Sequence, residues 1–151
     1  MASVFGDIIA GRFVDTYRNL TLKTTSIMEW IDHYCPKSRQ DSKRTIFGNL
    51  YAPSHYPDFV LGPAYLFTSD IVRESYVEAL GMKFMPNEDV FMTGMVARVI
   101  KVTHVHCPEF TNQQKKEGAC ELKNYIAFKG SGTQGMFDLY KKLLESPIKC
   151  G

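Results

Sequence analysis

The chain has 151 residues, 44% hydrophobic and 23% charged, which is an ordinary balance for one globular domain. Its 18 basic and 16 acidic side chains leave a formal net charge of +2, too little to argue for a nucleic-acid or membrane-surface partner. No apolar run approaches the roughly 18–20 residues that span a bilayer, and Met1 to Ala10 lacks the basic flank and long apolar stretch of a secretory signal.

Asp7-Ile8-Ile9-Ala10 predicts a short strand. Leu20, Thr24, Ile27, Ile31 and Tyr34 then recur at spacings of 4, 3, 4 and 3, the stripe of an amphipathic helix. Asp15 or Thr16 is its expected N-cap, and Met28 and Trp30 widen its buried face. Cys35-Pro36 ends it, because proline disfavours helical geometry in the residue before it. Residues 37–44 are polar and basic and read as a loop. Tyr51 to Pro63 carries Pro53, Pro57 and Pro63 and reads as irregular. Ala64 to Phe67 predicts a strand. Ser69 is placed as the cap of a helix over Asp70 to Leu80, with Gly81 as its stop. Met82 to Met85 predicts a strand, and Asn87 caps a third helix that opens on Glu88 and Asp89. Lys101 to His106 alternates like a strand, residues 115–123 read as a charged loop, and Tyr125 to Phe128 predicts a last strand. A glycine loop, Gly130 to Gly135, leads to a closing helix over Phe137 to Leu144. Alternating strands and helices make the fold class α/β, with a thin sheet.

Four groups of residues invite chemistry. Glu88 and Asp89 at a helix start can simply complement the helix dipole, each contributing about 0.3–1 kcal/mol. Alternatively, one carboxylate takes a proton from an attacking hydroxyl as a general base, its neighbour pointing about 100° away on the helix. Gly130-Ser131-Gly132-Thr133-Gln134-Gly135 matches GxGxxG, but a dinucleotide site needs an acidic residue about 20 residues further on, after another strand, and the chain ends first. A phosphate-binding loop at a helix start remains open, as does a plain loop with glycines at positive φ. His104, His106 and Cys107 have only Cys120 as a further candidate ligand, so alternating strand residues with a Cys107–Cys120 bridge are preferred to zinc. The other cysteines are Cys35 and Cys150, and the four allow three pairings. Asn19-Leu20-Thr21 is an N-glycosylation sequon at Asn19.

The string Phe13-Val14-Asp15-Thr16-Tyr17-Arg18-Asn19-Leu20-Thr21-Leu22-Lys23-Thr24 resembles the F-x-D-x-Y-x-N-L-T-L-K-T signature of the β1,3-galactosyl- and N-acetylglucosaminyltransferases, glycosyltransferase family 31. Three pieces follow in family order. Tyr56-Pro57 through Gly62-Pro63-Ala64-Tyr65 and Thr68-Ser69-Asp70 is similar to the YPPYxSGxGYxxSxD segment. Glu88-Asp89-Val90-Phe91-Met92-Thr93-Gly94 is similar to the EDVY/F-x-G motif, and Tyr125 to Phe128 with the helix beyond resembles the last strand and helix. The resemblance implies a partial GT-A-like fold, a single partial domain over residues 1–151. It implies inverting transfer of a hexose from a UDP-sugar to a glycan hydroxyl, with manganese as cofactor, on the lumenal side of the Golgi membrane. It makes Asp89 the base with Glu88 in support, and places Gly62, Tyr65, Lys23 and Lys129 on the donor side. Four reduced cysteines would be unremarkable in a chain of this size, and disulfides are favoured over them only by the resemblance.

The departures from the family are as specific as the matches. Residues 37–44 stand where the family carries a long segment ending in an Asp-x-Asp motif that holds metal and diphosphate. No Asp-x-Asp triplet occurs in the chain. Lys129 stands about where a metal-ligating histidine is usual, and a protonated lysine cannot ligate a metal. The strands expected before Asp7, the stem and the anchor are also missing from this reading. Cations stabilise a departing diphosphate, so most catalysis is expected to be lost. Three readings follow: a hexosyltransferase-family chain that keeps its base and acceptor side, a non-catalytic carbohydrate-binding or partner module, and an unrelated nucleotide-binding protein using the Gly130 to Gly135 loop.

Overall fold

The computed structural model describes residues 14, 16–34, 44–114, 124–130 and 132–145. The expectations for residues 7–10, 35–43 and 115–123, and for Asp15 as a cap, lie outside the described residues.

The first helix, α1 (Leu20–Tyr34), follows a 3-10 turn at Tyr17–Asn19. Thr16 flanks that turn, but its side chain makes no capping hydrogen bond. The inward face is rotated by about one position from the predicted stripe. Thr21 and Met28 are buried, Thr24, Thr25 and Ile31 are half-buried, and Ile27 stays 48% exposed. Threonine can take the buried position because its hydroxyl finds a partner. Thr21 Oγ1 donates to the Met85 carbonyl at 2.7 Å, and Thr25 Oγ1 to the Thr21 carbonyl at 2.8 Å.

The central strand, β1 (Thr45–Tyr51), is absent from the predicted elements. It pairs antiparallel with β2 (Phe59–Phe67) and parallel with β3 (Thr103–His106), in the order β2-β1-β3. β2 starts well before the predicted Ala64. Its register jumps from Gly48↔Tyr65 to Leu50↔Val60. Residues 61–64 thus leave the ladder as a bulge, which is how Pro63 is tolerated inside a strand. A second, parallel pair joins β4 (Phe110–Gln114), also unpredicted, to β5 (Ala127–Lys129).

Helix α2 (Val72–Gly81) follows a 3-10 turn at Ser69–Ile71. Thr68, not Ser69, occupies the cap position, and its hydroxyl accepts from the Thr45 amide at 2.9 Å. Gly81 is the last helical residue and has no positive φ, so it is not the left-handed stop predicted. Met82 to Met85 forms no strand. Its apolar side chains Met82 and Met85 are satisfied by packing on the core instead of by a sheet face. After Asn87 the helix becomes a π helix over Val90–Val96 and ends as α3 (Ala97–Val99). Residues 90–94 and Val96 are all buried, which accounts for an apolar run with no polar side. Helix α4 (Thr133–Glu145) starts inside the predicted glycine loop, just after Gly132 at φ +92°.

The main core joins Met28 of α1, Ile46 of β1, Val60 of β2, Val72 of α2 and Phe91, Met92 and Val96 of the π helix. The result is a mixed α/β arrangement, a small mixed sheet flanked by helices, in keeping with a partial GT-A-like domain. Among the described residues no helix is long and apolar enough to cross a membrane.

Candidate active site

Glu88 and Asp89 sit at the helix start that follows the Met82 to Asn87 connection. Two other elements reach this point. From β2 the Tyr65 hydroxyl donates to Glu88 Oε1, and from α1 Thr24 Oγ1 donates to the same oxygen at 2.9 Å. Burial pushes the Glu88 carboxyl above its ordinary range, the Tyr65 and Thr24 donors work against that, and the charge of Asp89 adds to it. Burial also pushes the Tyr65 phenol up, reinforced by the Glu88 charge and hydrogen bond, eased by Thr24 and raised a little more by Asp89. Tyr65 therefore stays a donor throughout the physiological range.

Asp89 is held differently. Its Oδ1 accepts from the Val90 amide at 2.9 Å, and its backbone carbonyl accepts from Thr93 Oγ1 at 2.6 Å. Its other oxygen, Oδ2, faces the β2 bulge. A Cβ on Gly62 would stand 3.2 Å from Oδ2 and 3.4 Å from the Asp89 Cβ. Glycine is what allows this close approach. Gly62 and Pro63 are exposed and Asp89 is half-buried, so Oδ2 lies against a solvent-facing piece of β2. Among the described residues no ion pair involves Glu88 or Asp89. This arrangement suits a carboxylate that accepts a proton from outside, steadied by a partner held inside.

The structure thus brings Glu88, Asp89, Gly62 and Tyr65 together. Lys23 lies one residue before Thr24 on α1 and is half-buried. Lys129 ends β5 in the second sheet, exposed, and no hydrogen bond or ion pair joins it to either carboxylate. Asn19 closes the 3-10 turn and donates its Nδ2 to the Val14 carbonyl at 2.7 Å. Thr21, the third sequon residue, is 2% exposed.

The reading of single residues missed Thr24, Thr21 and Thr93. The signal for the first two lay in their spacing of three on one helix, both within the signature string. Thr93 is fully buried and joins the π helix to β2: the Val60 amide donates to its Oγ1 at 2.8 Å.

The other candidate groups make structural contacts. His104 donates Nε2–H to the Thr93 carbonyl, and His106 Nδ1 accepts from the Leu50 amide at 3.2 Å. Cys107 is half-buried with a free thiol, and Cys120, its expected bridge partner, lies outside the described residues. Among the described residues no group of three His, Cys, Asp or Glu side chains could hold a metal ion. An apolar cavity of about 430 Å³ lies between α1 and β2, lined by Thr24, Ile27, Ile31, Tyr65 and Leu66 among others.

With the carboxylate pair, its two hydroxyl donors and the glycine bulge in place, comparison with known proteins fits the same region. A family model described as Galactosyltransferase matches residues 2–43 and 37–108, and the chain belongs to this family of glycosyltransferases. It is similar to UDP-GalNAc:beta-1,3-N-acetylgalactosaminyltransferase 1 of Sus scrofa, 26% identical over 190 aligned positions that take in 95% of this chain and 57% of that protein. The protein of that name in Homo sapiens is 25% identical over the same extent. Beta-1,3-galactosyltransferase 1 of Mus musculus is 24% identical over 169 positions, 83% of this chain and 52% of that one. The chain therefore spans a little over half the length of the curated relatives it matches. An alignment of 190 positions against 151 residues also means that the relative carries residues with no counterpart here. The two pieces matched by the family model meet at residues 37–43.

Proposed function

We propose that this chain carries the acceptor-activating side of an inverting β1,3-hexosyltransferase, with Asp89 as the base. The supporting observation is the placement of Asp89: Oδ1 anchored on its own helix and Oδ2 turned to the exposed Gly62 bulge. In the reaction, an acceptor hydroxyl gives its proton to Asp89 Oδ2 as its oxygen attacks the anomeric carbon of a UDP-sugar. The bond to UDP breaks on the opposite side, so the sugar inverts. The acceptor is a glycan hydroxyl and the donor a UDP-hexose, in line with the activities named for the relatives. Glu88 stays out of the proton transfer and holds the helix start.

The donor side is where the chain falls short. The absent stretch is assigned to residues 37–44, where the two family matches meet, and with it goes the Asp-x-Asp motif. Without cations near the diphosphate, the leaving group loses its main stabilisation. The chain alone is therefore expected to transfer hexose at background level.

The experiment supplies the missing stretch. A relative's segment is inserted between Pro36 and Arg44, folding is checked by circular dichroism, and transfer from UDP-galactose and UDP-GalNAc to a β-galactoside is measured with manganese present. Transfer that appears with the insert and disappears with Asp89→Asn supports the proposal. Glycan binding by the unmodified chain, with no transfer from the folded insert form, supports the non-catalytic module instead.

A further inference from the structure

Three elements distant in sequence converge on one carboxylate oxygen. Thr24 of α1 and Tyr65 of β2 both donate to Glu88 Oε1, 64 and 23 residues away along the chain. Each donor is itself fixed. The Tyr65 ring packs edge-on against Phe67, centroids 5.1 Å apart. One turn before Thr24, Thr21 ties α1 to the Met85 carbonyl, three residues ahead of Glu88. The segment leading into the helix is thus held at two points from α1. A charged carboxylate accepting two neutral hydroxyls is a stronger anchor than a neutral pair. Asp89 follows directly on the same backbone, and its Oδ2 meets Gly62, three residues before Tyr65 on the same strand.

We propose that Thr24 and Tyr65 are positioning residues of the transfer site: by gripping Glu88 between α1 and β2, they fix the helix start that presents Asp89 to Gly62. This rests on the reading of Asp89 as the base. It assigns the Tyr65 hydroxyl to the carboxylate pair, and it gives Thr24, the last residue of the signature string, a task.

The test is a carbon-13 titration of the Glu88 and Asp89 carboxyls in the full chain and in Tyr65→Phe, Thr24→Val and Thr24→Ser. Circular dichroism and urea unfolding establish that each variant folds. Both hydroxyls favour the ionised form, so Tyr65→Phe and Thr24→Val raise the Glu88 midpoint, and Thr24→Ser, which keeps the hydroxyl, restores it. The Asp89 carboxyl resonance moves together with that of Glu88. An unchanged Glu88 midpoint overturns the proposal, as does a shift at Glu88 with the Asp89 resonance in place. In the form carrying the relative's segment, Tyr65→Phe lowers kcat about ten- to a hundredfold with little change in donor KM. If Asp89→Asn leaves transfer in that form intact, the base assignment fails, while the coupled shifts still support the positioning contact.

Discussion

Asp89 Oδ1 is occupied by the Val90 amide, whereas Oδ2 faces Gly62. That difference between two oxygens of one side chain is the basis for assigning the base, and two further outcomes follow from it. Asp89→Asn keeps the shape and removes the proton acceptor, so transfer by the segment-restored form should fall at least about a hundredfold. Gly62→Ala places a methyl 3.2 Å from Oδ2, close enough to push the carboxylate aside. It should lower transfer about tenfold or more without loss of fold, measured by kinetics beside a denaturation curve. Glu88 supplies a pH test. Its folded pKa is raised, chiefly by burial, so the folded state favours the protonated form. The associated stability is fully present below the unfolded carboxyl pKa and is lost as pH rises through the folded value. Glu88→Gln removes that dependence. Its stability relative to the unmodified chain should therefore increase with pH across that window, as read by urea unfolding at several pH values. The carboxylate pair was legible in the sequence because adjacent acids at a helix start are conspicuous and the motifs around them occur in order. Thr24 was not, since a threonine on a helical stripe reads as packing until its hydroxyl is seen to reach a residue 64 positions away.

At the scale of elements, the π helix and the β2 bulge are irregular pieces that meet at the site. Thr93 is the rivet between them. It accepts from the Val60 amide at 2.8 Å, and its hydroxyl proton lies within reach of the Asp89 carbonyl at 2.6 Å and the Val60 carbonyl at 3.1 Å. Thr93→Val preserves volume but leaves a buried amide unpartnered, so it should cost about 1–3 kcal/mol in equilibrium urea unfolding. Neither irregularity could be read from the sequence. Val90-Phe91-Met92-Thr93-Gly94 gives a helix of unknown pitch, and Pro63 argues against a strand that in fact survives by bulging around it. β1 escaped because Thr45 to Leu50 is buried or half-buried on both faces, losing the alternation that marks a half-exposed strand. Met82 to Met85 erred the other way: Met82 and Met85 pack on the core, yet the segment forms no strand.

Across the molecule, among the described residues, β2 and β3 are the outer strands of the three-stranded sheet and pair on one side only, and the cavity between α1 and β2 opens beside Leu66, which is 56% exposed. Unpaired strand edges and apolar grooves favour association. The unmodified chain should therefore bind an apolar dye such as ANS, and Ile27→Lys, on the cavity wall, should reduce the signal. The α/β class and the family were legible because short local strings specify them. The break in those strings at residues 37–44 remains an expectation of the sequence, whereas the cavity between α1 and β2 depends on packing among distant segments and had to be seen. The central claim is that Asp89 is a base awaiting a donor site. Its most direct test is hexose transfer to a β-galactoside by the form carrying the relative's segment, with and without Asp89→Asn. The expected result is transfer in the first and a loss of at least about a hundredfold in the second. Equal transfer by both would contradict it.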